Sequence, residues 1–150
     1  MDLKKLTKVI SCQWRVQSFS KNKPQAQLVA YIDARDAMKL LDEAVGPENW
    51  QDDYKMVGDT RFAGVGIKVD GEWVWKWDTG TETQVEADKG EVSDSFKRAC
   101  VKWGIGRFLY DLDIRYLPAN EAKTSSNNPY VVDTNGKRVF DITKHVNSLK

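Results

Sequence analysis

The dipeptide Asp70-Gly71 stands between two runs of strand-like alternation, Arg61–Val69 and Glu72–Thr79. A two-residue hairpin turn needs positive φ at both central positions, which glycine takes freely and aspartate tolerates. The turn therefore fixes a register: Val69 faces Glu72, Gly66 faces Trp75, and Gly64 faces Trp77. The alternation Trp73, Trp75, Trp77 then lays two indoles over two glycines, filling the gaps that strand glycines leave. The opposite face carries Ala63, Val65, Ile67 and Val74. A preceding strand, Trp50–Val57, adds Tyr54 and Met56 to it, so both faces of this meander are expected to be at least partly covered.

Around the meander the periodicity turns helical. Leu3, Leu6, Val9 and Ile10 recur at helical spacing with Lys4, Lys5 and Lys8 opposite, which predicts a short amphipathic helix. Ser18–Gln25 is polar, holds Pro24, and reads as a connector. Leu28–Val45 reads as a helix whose stripe includes Ile32, Met38, Leu41 and Val45, stopped by Gly46-Pro47. Gly80–Gly90 is an acidic polar loop. Val92–Leu112, VSDSFKRACVKWGIGRFLYDL, then reads as one long helix. It is polar at first and apolar almost all round in its second half, at Trp103, Ile105, Phe108, Leu109 and Tyr110. A helix apolar on every side must be covered on every side. The extra cover is expected from another copy of the chain, with the N-terminal helix docked on a neighbour. Gly104 and Gly106 inside that helix would cost about 1 kcal/mol each relative to alanine, which calls for close approach by a neighbouring element. Pro118–Pro129 reads as a polar loop, and Asn135-Gly136 joins Tyr130–Asp133 to Arg138–Ile142 in a second hairpin. The order α-α-βββ-α-ββ predicts an α+β fold on an antiparallel sheet: a β-β-β-α core with N-terminal helices and a C-terminal hairpin, one domain over 1–150.

Lysine and arginine total 23 against 22 acidic residues, a net charge of +1, so any phosphate site must be a local cluster. Cys12 and Cys100 form no Cys-x-x-Cys, and His145 is the only histidine, which argues against zinc. Cys100 reads as a reduced core thiol, suiting a reducing compartment. The start, MDLKKLTKVISCQW, holds no apolar run long enough for a signal peptide or a membrane span, so a cytoplasmic protein with no membrane partner is expected. No P-loop occurs, Gly64-Val65-Gly66 belongs to a strand, and His145 has no nucleophile motif to serve. No cofactor, metal or catalytic residue is expected. Asp111 and Asp113 leave open a Mg²⁺-dependent nuclease, although a solvated helix exit is the simpler reading. Lys97 and Arg98 can neutralise successive phosphates, with Arg35, Lys102 and Arg107 as helpers. The competing reading is a plain solvated face on a structural oligomer. The six tryptophans could stack bases, but the Trp-over-Gly register favours packing.

Several stretches together resemble the Rad52-type single-strand annealing proteins, in particular the phage and bacterial branch with the Sak recombinases. They are VSDSFKRACVKWGIGRFLYDL, YIDARDAMKLLDEAVGPENW, RFAGVGIKVDGEWVWKWDTG and FDITKHV, in the family's order, across about 28–146. The resemblance implies subunits assembled in an undecamer-like ring, with single-stranded DNA in a basic groove, phosphates inward and bases outward. It implies ATP-independent annealing in recombination and double-strand break repair in a bacterial host cell, with a phage exonuclease or a host single-strand-binding protein as further partners. The family's adjacent Lys-Arg falls at Lys97-Arg98. A further family arginine falls at Val101, where Lys102 or Arg107 would compensate, and another at Asp36, beside Arg35. The loop before the long helix is shorter than in the family.

Overall fold

The computed structural model describes residues 1–80 and 87–149. The chain forms two compact units. One comprises Met1–Ile10 and Ile32–Tyr110, the other Ser11–Tyr31 and Asp111–Lys150.

The first unit holds helix α1 (Ala34–Val45), strands β3 (Trp50–Val57), β4 (Thr60–Val69) and β5 (Glu72–Thr79), and helix α2 (Ala87–Lys102). The three strands form an antiparallel sheet in the order β3-β4-β5. The hairpin has the expected register, with Val69 opposite Glu72, Gly66 opposite Trp75 and Gly64 opposite Trp77. Asp70 and Gly71 both take positive φ, 51° and 85°. Ala63, Val65 and Ile67 are fully buried on the inner face, where Phe96, Ala99 and Cys100 of α2 pack. Cover on that face stops short of its rim: Met56 is 60% exposed and Val74 40%, and Tyr54 is exposed too. The expected cover at those three residues is therefore not supplied within the unit.

Helix α1 begins later than its periodicity suggests. Asp33 caps it in a reciprocal capping box, accepting from the Asp36 N–H while the Asp36 carboxylate accepts from the Asp33 N–H. Residues Gln25–Tyr31 before the cap form a strand instead, because Ala26 and Leu28 alternate into a core. At the N-terminus only Leu3–Thr7 is helical, as a 3-10 turn. It packs on α1 of its own chain: Leu6 is fully buried and the Asp2 N–H donates to the Ala44 carbonyl at 2.9 Å. Docking on a neighbour is not needed to cover it.

The long helix also ends early. Its last turn closes in a Schellman motif: the Ile105 N–H donates to the Cys100 carbonyl at 3.1 Å and the Gly104 N–H to the Val101 carbonyl at 2.9 Å. Gly104 and Gly106 take φ of 107° and 79°, so they terminate the helix rather than sit inside it. Close approach is nonetheless real, since a Cβ on Gly104 would lie 2.8 Å from Thr7 Cγ2. Beyond it the chain turns into a 3-10 segment, Arg107–Asp111. Ile105 is buried and Tyr110 exposed, so the doubly apolar helix end is a folded-back turn. At its start α2 runs from Ala87, and the rest of the acidic loop expected over Gly80–Gly90 lies largely outside the described residues.

The second unit is a smaller antiparallel sheet, β1 (Gln13–Phe19), β2 (Gln25–Tyr31) and β6 (Arg115–Pro118), in the order β1-β2-β6, followed by helix α3 (Ile142–Asn147). Its core is Ala26, Leu28, Leu117, Val131 and Val146. The polar stretch read as a connector holds the turn between β1 and β2. The expected C-terminal hairpin is closed at Asn135-Gly136 but reduced to a single bridge, Val132 with Arg138, while Val131 bridges to Ala119 just past β6. Ile142 opens α3 instead of ending a strand. The molecule is thus α+β as expected, with two three-stranded antiparallel sheets rather than one.

Candidate nucleic-acid interface

Helix α2 is anchored by its apolar face. Phe96, Ala99 and Cys100 are buried, and the rings of Phe96 and Trp50 lie 6.4 Å apart. Burial, with a smaller push from the Asp52 carboxylate, raises the Cys100 thiol to about 12. It is a neutral core group, as its position on the helix suggests. Past the helix end the Trp103 indole N–H donates to the Val65 carbonyl at 2.9 Å, pinning the turn to β4.

The cations of α2 stand on this anchored frame. Neighbouring residues on a helix diverge by about 100°, so Lys97 and Arg98 leave α2 on different flanks. Lys97 is half-buried and its ammonium donates to the Ile32 carbonyl at 3.4 Å, just ahead of the α1 cap. Arg35 is exposed on the first turn of α1. Arg98 turns toward β5, where its Nε lies 3.7 Å from Asp78 Oδ1. Lys102 joins that side, donating to the Trp77 carbonyl. Arg107 is exposed but folds back, donating from Nε to the Val101 carbonyl and from a terminal nitrogen to the Lys102 carbonyl, both at 2.8 Å. It caps the end of α2. Of the five residues, Lys97 thus leans toward the start of α1, where Arg35 is exposed on the first turn, Arg98 and Lys102 lean toward β5, and Arg107 closes the helix end.

Lys76 belongs to the β5 group and sequence reasoning missed it. Its ammonium donates to the Lys102 carbonyl at 3.2 Å and lies 4.6 Å from the Trp103 ring centre. The signal was present: the alternation that puts Trp75 and Trp77 on one face of β5 puts Lys76 on the other, toward α2. On the outer face, Trp75 and Trp77 lie over Gly66 and Gly64 as the register demands. A Cβ on Gly64 would meet Trp77 ring carbons at 2.6–2.7 Å, and one on Gly66 would meet Trp75 at 2.7–2.9 Å. Asp111 and Asp113 are both exposed. Among the described residues no group of three or more His, Cys, Asp or Glu side chains could hold a metal ion.

The family model of the Rad52/22 double-strand break repair proteins matches residues 63–128, from β4 through β5 and α2 to the segment beyond β6. The chain belongs to this Rad52-type family. Two relatives carry the same name, single-stranded DNA-binding protein DdrA. The one from Deinococcus deserti is 34% identical over 118 residues, covering 77% of this chain and 58% of that protein. The one from Deinococcus radiodurans is 32% identical over 112 residues, covering 73% and 53%. The chain therefore spans little more than half the length of these curated relatives. No solved structure matches it. The Rad52/22 match contains Lys97, Arg98, Lys102 and Arg107, and Arg35 lies outside it. Among the described residues no helix is long and apolar enough to cross a membrane.

Proposed function

We propose that the chain binds single-stranded DNA through the cations of α2 and anneals complementary strands in recombination and double-strand break repair, without nucleotide hydrolysis. The observation that carries this reading is the set of cations fixed at the two flanks of an immobilised helix, Lys97 toward α1 and Arg98, Lys102 and Lys76 toward β5. Phosphate contacts of this kind supply affinity without reading sequence, which suits a protein that must accept any strand. The relatives named as single-stranded DNA-binding proteins support the choice of ligand. Bases left free of the phosphate contacts can sample a second strand, and pairing then drives the reaction. The protein works as a binding scaffold, with no covalent catalytic step, in the cytoplasm of a bacterial or phage-infected cell. Ring-like assembly of several copies extends the contacts along the strand, and exposed Met56, Tyr54 and Val74 at the rim of the inner sheet face support such association.

The test is fluorescence annealing of complementary oligonucleotides with the wild type and a Lys97→Ala, Arg98→Ala double variant. The variant is expected to stay folded and keep its native mass while losing binding and annealing. Each phosphate contact removed should lower the log–log salt slope of single-strand binding by ~0.7. A folded variant that anneals at the wild-type rate would place the groove elsewhere.

A further inference from the structure

Trp73 is the tryptophan of β5 that packing does not explain. Trp75 and Trp77 cover Gly66 and Gly64, but Trp73 stands opposite Lys68, with no glycine beneath it, and is 40% exposed. All three indoles lie on the outer face of the sheet, the face away from α2. On Gly66 a Cβ would meet three Trp75 ring carbons at nearly equal distances, 2.7, 2.8 and 2.9 Å, so the indole lies flat on the strand. Its other π-face points away from the sheet. Trp75 and Trp77 are stacked side by side with centres 5.5 Å apart and planes 22° from parallel.

Cations flank this row at both ends. Lys68 is directly across from Trp73, and the Lys55 ammonium lies 4.4 Å from the Trp77 ring centre. Asp53, opposite Gly64, is the acidic side chain among them, so lysines outnumber it on this face. Flat indoles between ammonium groups match a ligand that alternates aromatic rings with negative charge. A nucleic-acid strand is such a ligand. The flat placement adds a selection. Bases in a duplex are stacked on one another and offer no free face, so only a strand whose bases are unstacked can lay them on these indoles.

We propose that the outer face of the β3–β4–β5 sheet is a base-stacking contact for single-stranded DNA, with Trp73 and Trp75 taking bases and Lys55 and Lys68 the adjoining phosphates. The proposal rests on the single-strand reading above, but its residues lie on the opposite side of the sheet from the α2 cations.

The test compares binding of an oligothymidylate with that of an abasic oligonucleotide of equal length, which keeps the phosphates and lacks the rings. The wild type is expected to prefer the oligothymidylate. Trp73→Ala should weaken oligothymidylate binding about tenfold, in line with the cost of losing one base stack, and leave abasic binding within twofold. Trp73→Phe should retain most of the preference. Lys97→Ala with Arg98→Ala should weaken both ligands alike. A Trp73→Ala protein that still prefers oligothymidylate as the wild type does overturns the proposal. A change in native mass on that substitution also overturns it, because the face would then be an interface between copies. Equal wild-type binding of both oligonucleotides refutes the stacking contact alone, whereas binding of neither refutes the single-strand reading and this proposal together.

Discussion

Replacing Gly66 by valine tests the packing of the sheet where it is tightest. A Cβ at this position would stand 2.7 Å from Trp75 Cε2. Carbon atoms in contact prefer about 3.5–4.0 Å, so the indole must lift by about 1 Å. It cannot slip sideways along the strand instead, because Trp77 lies beside it with its centre 5.5 Å away and is itself held over Gly64. Overpacking of this kind costs about 1–3 kcal/mol. A stiffer unfolded chain gives back about 0.4–1 kcal/mol, because the φ of Gly66 is one that other residues adopt. At mid-range the net loss is about 1.3 kcal/mol, or a fall in Tm of roughly 3–5 °C for a chain of this size. A double-mutant cycle isolates the cause. In a Trp75→Ala background the ring that clashes is gone, so Gly66→Val should cost little or even stabilise, giving a coupling of ~1 kcal/mol or more. Thermal melts of the four proteins supply all the numbers. An equal cost in both backgrounds would refute the ring-over-glycine account.

Three other outcomes follow from the same geometry. Gly104→Ala should destabilise by about 1–3 kcal/mol in urea melts, since a φ of 107° is strained for alanine, and Thr7→Ser, which removes the methyl group 2.8 Å from the new Cβ, should restore only part of the loss. Asp33→Ala should cost ~1 kcal/mol by ending the capping box of α1, whereas Asp33→Ser, which still accepts from the Asp36 N–H, should lose less. Burial holds the folded Cys100 thiol at about 12 against an ordinary 9.0, so its contribution to stability is complete below pH 9 and declines above it, as the unfolded chain releases its proton first; between pH 9 and 11 wild-type stability should fall more steeply than that of Cys100→Ala, by up to ~1.4 kcal/mol per pH unit.

What the sequence discloses here is local and strictly patterned. Asp70-Gly71 carries its turn type in its chemistry, and once the turn is set, period-2 alternation dictates every pairing to Phe62 opposite Thr79. The outward indoles follow from that pattern too, and the buried thiol of Cys100 follows from the apolar face of α2. The misread elements are those where one apolar residue serves two periodicities. Leu28 and Ile32 are spaced as on a helix, yet Ala26 and Leu28 alternate into a strand core and the helix waits for its cap at Asp33. The Asp33-x-x-Asp36 box was the signal that would have moved the boundary. Gly104 falls within the helical period, where glycine is costly, yet its Schellman pairing makes it the stop. Strand β6 is four residues long and pairs with β2 from far along the chain, so no local period marks it. For the candidate site, Lys97 and Arg98 were legible as neighbours, but their separation onto two flanks needed the positions of α1 and β5. Lys76 needed the register and the helix together.

The α2 cations are held, but by partners that a phosphate can replace. Arg98 meets Asp78 at 3.7 Å with its side chain 47% exposed, a screened pair of the kind that contributes well under 1 kcal/mol. Lys97 donates to a carbonyl at 3.4 Å, near the long end of a hydrogen bond. Lys102 donates to the Trp77 carbonyl of β5, and Lys76 donates to the Lys102 carbonyl. An ammonium carries three N–H donors, so a bond to one carbonyl leaves two for a ligand. The carbonyls near the helix end also favour positive charge there, which places Lys102 and Lys76 without neutralising them. Arg107 differs: two of its nitrogens close the last carbonyls of α2 at 2.8 Å, and drawing it to a phosphate would reopen the helix end. The arrangement therefore ranks its own cations. Lys97, Arg98 and Lys102 on α2 and Lys76 on β5 are positioned and still available, while Arg107 closes the end of the helix.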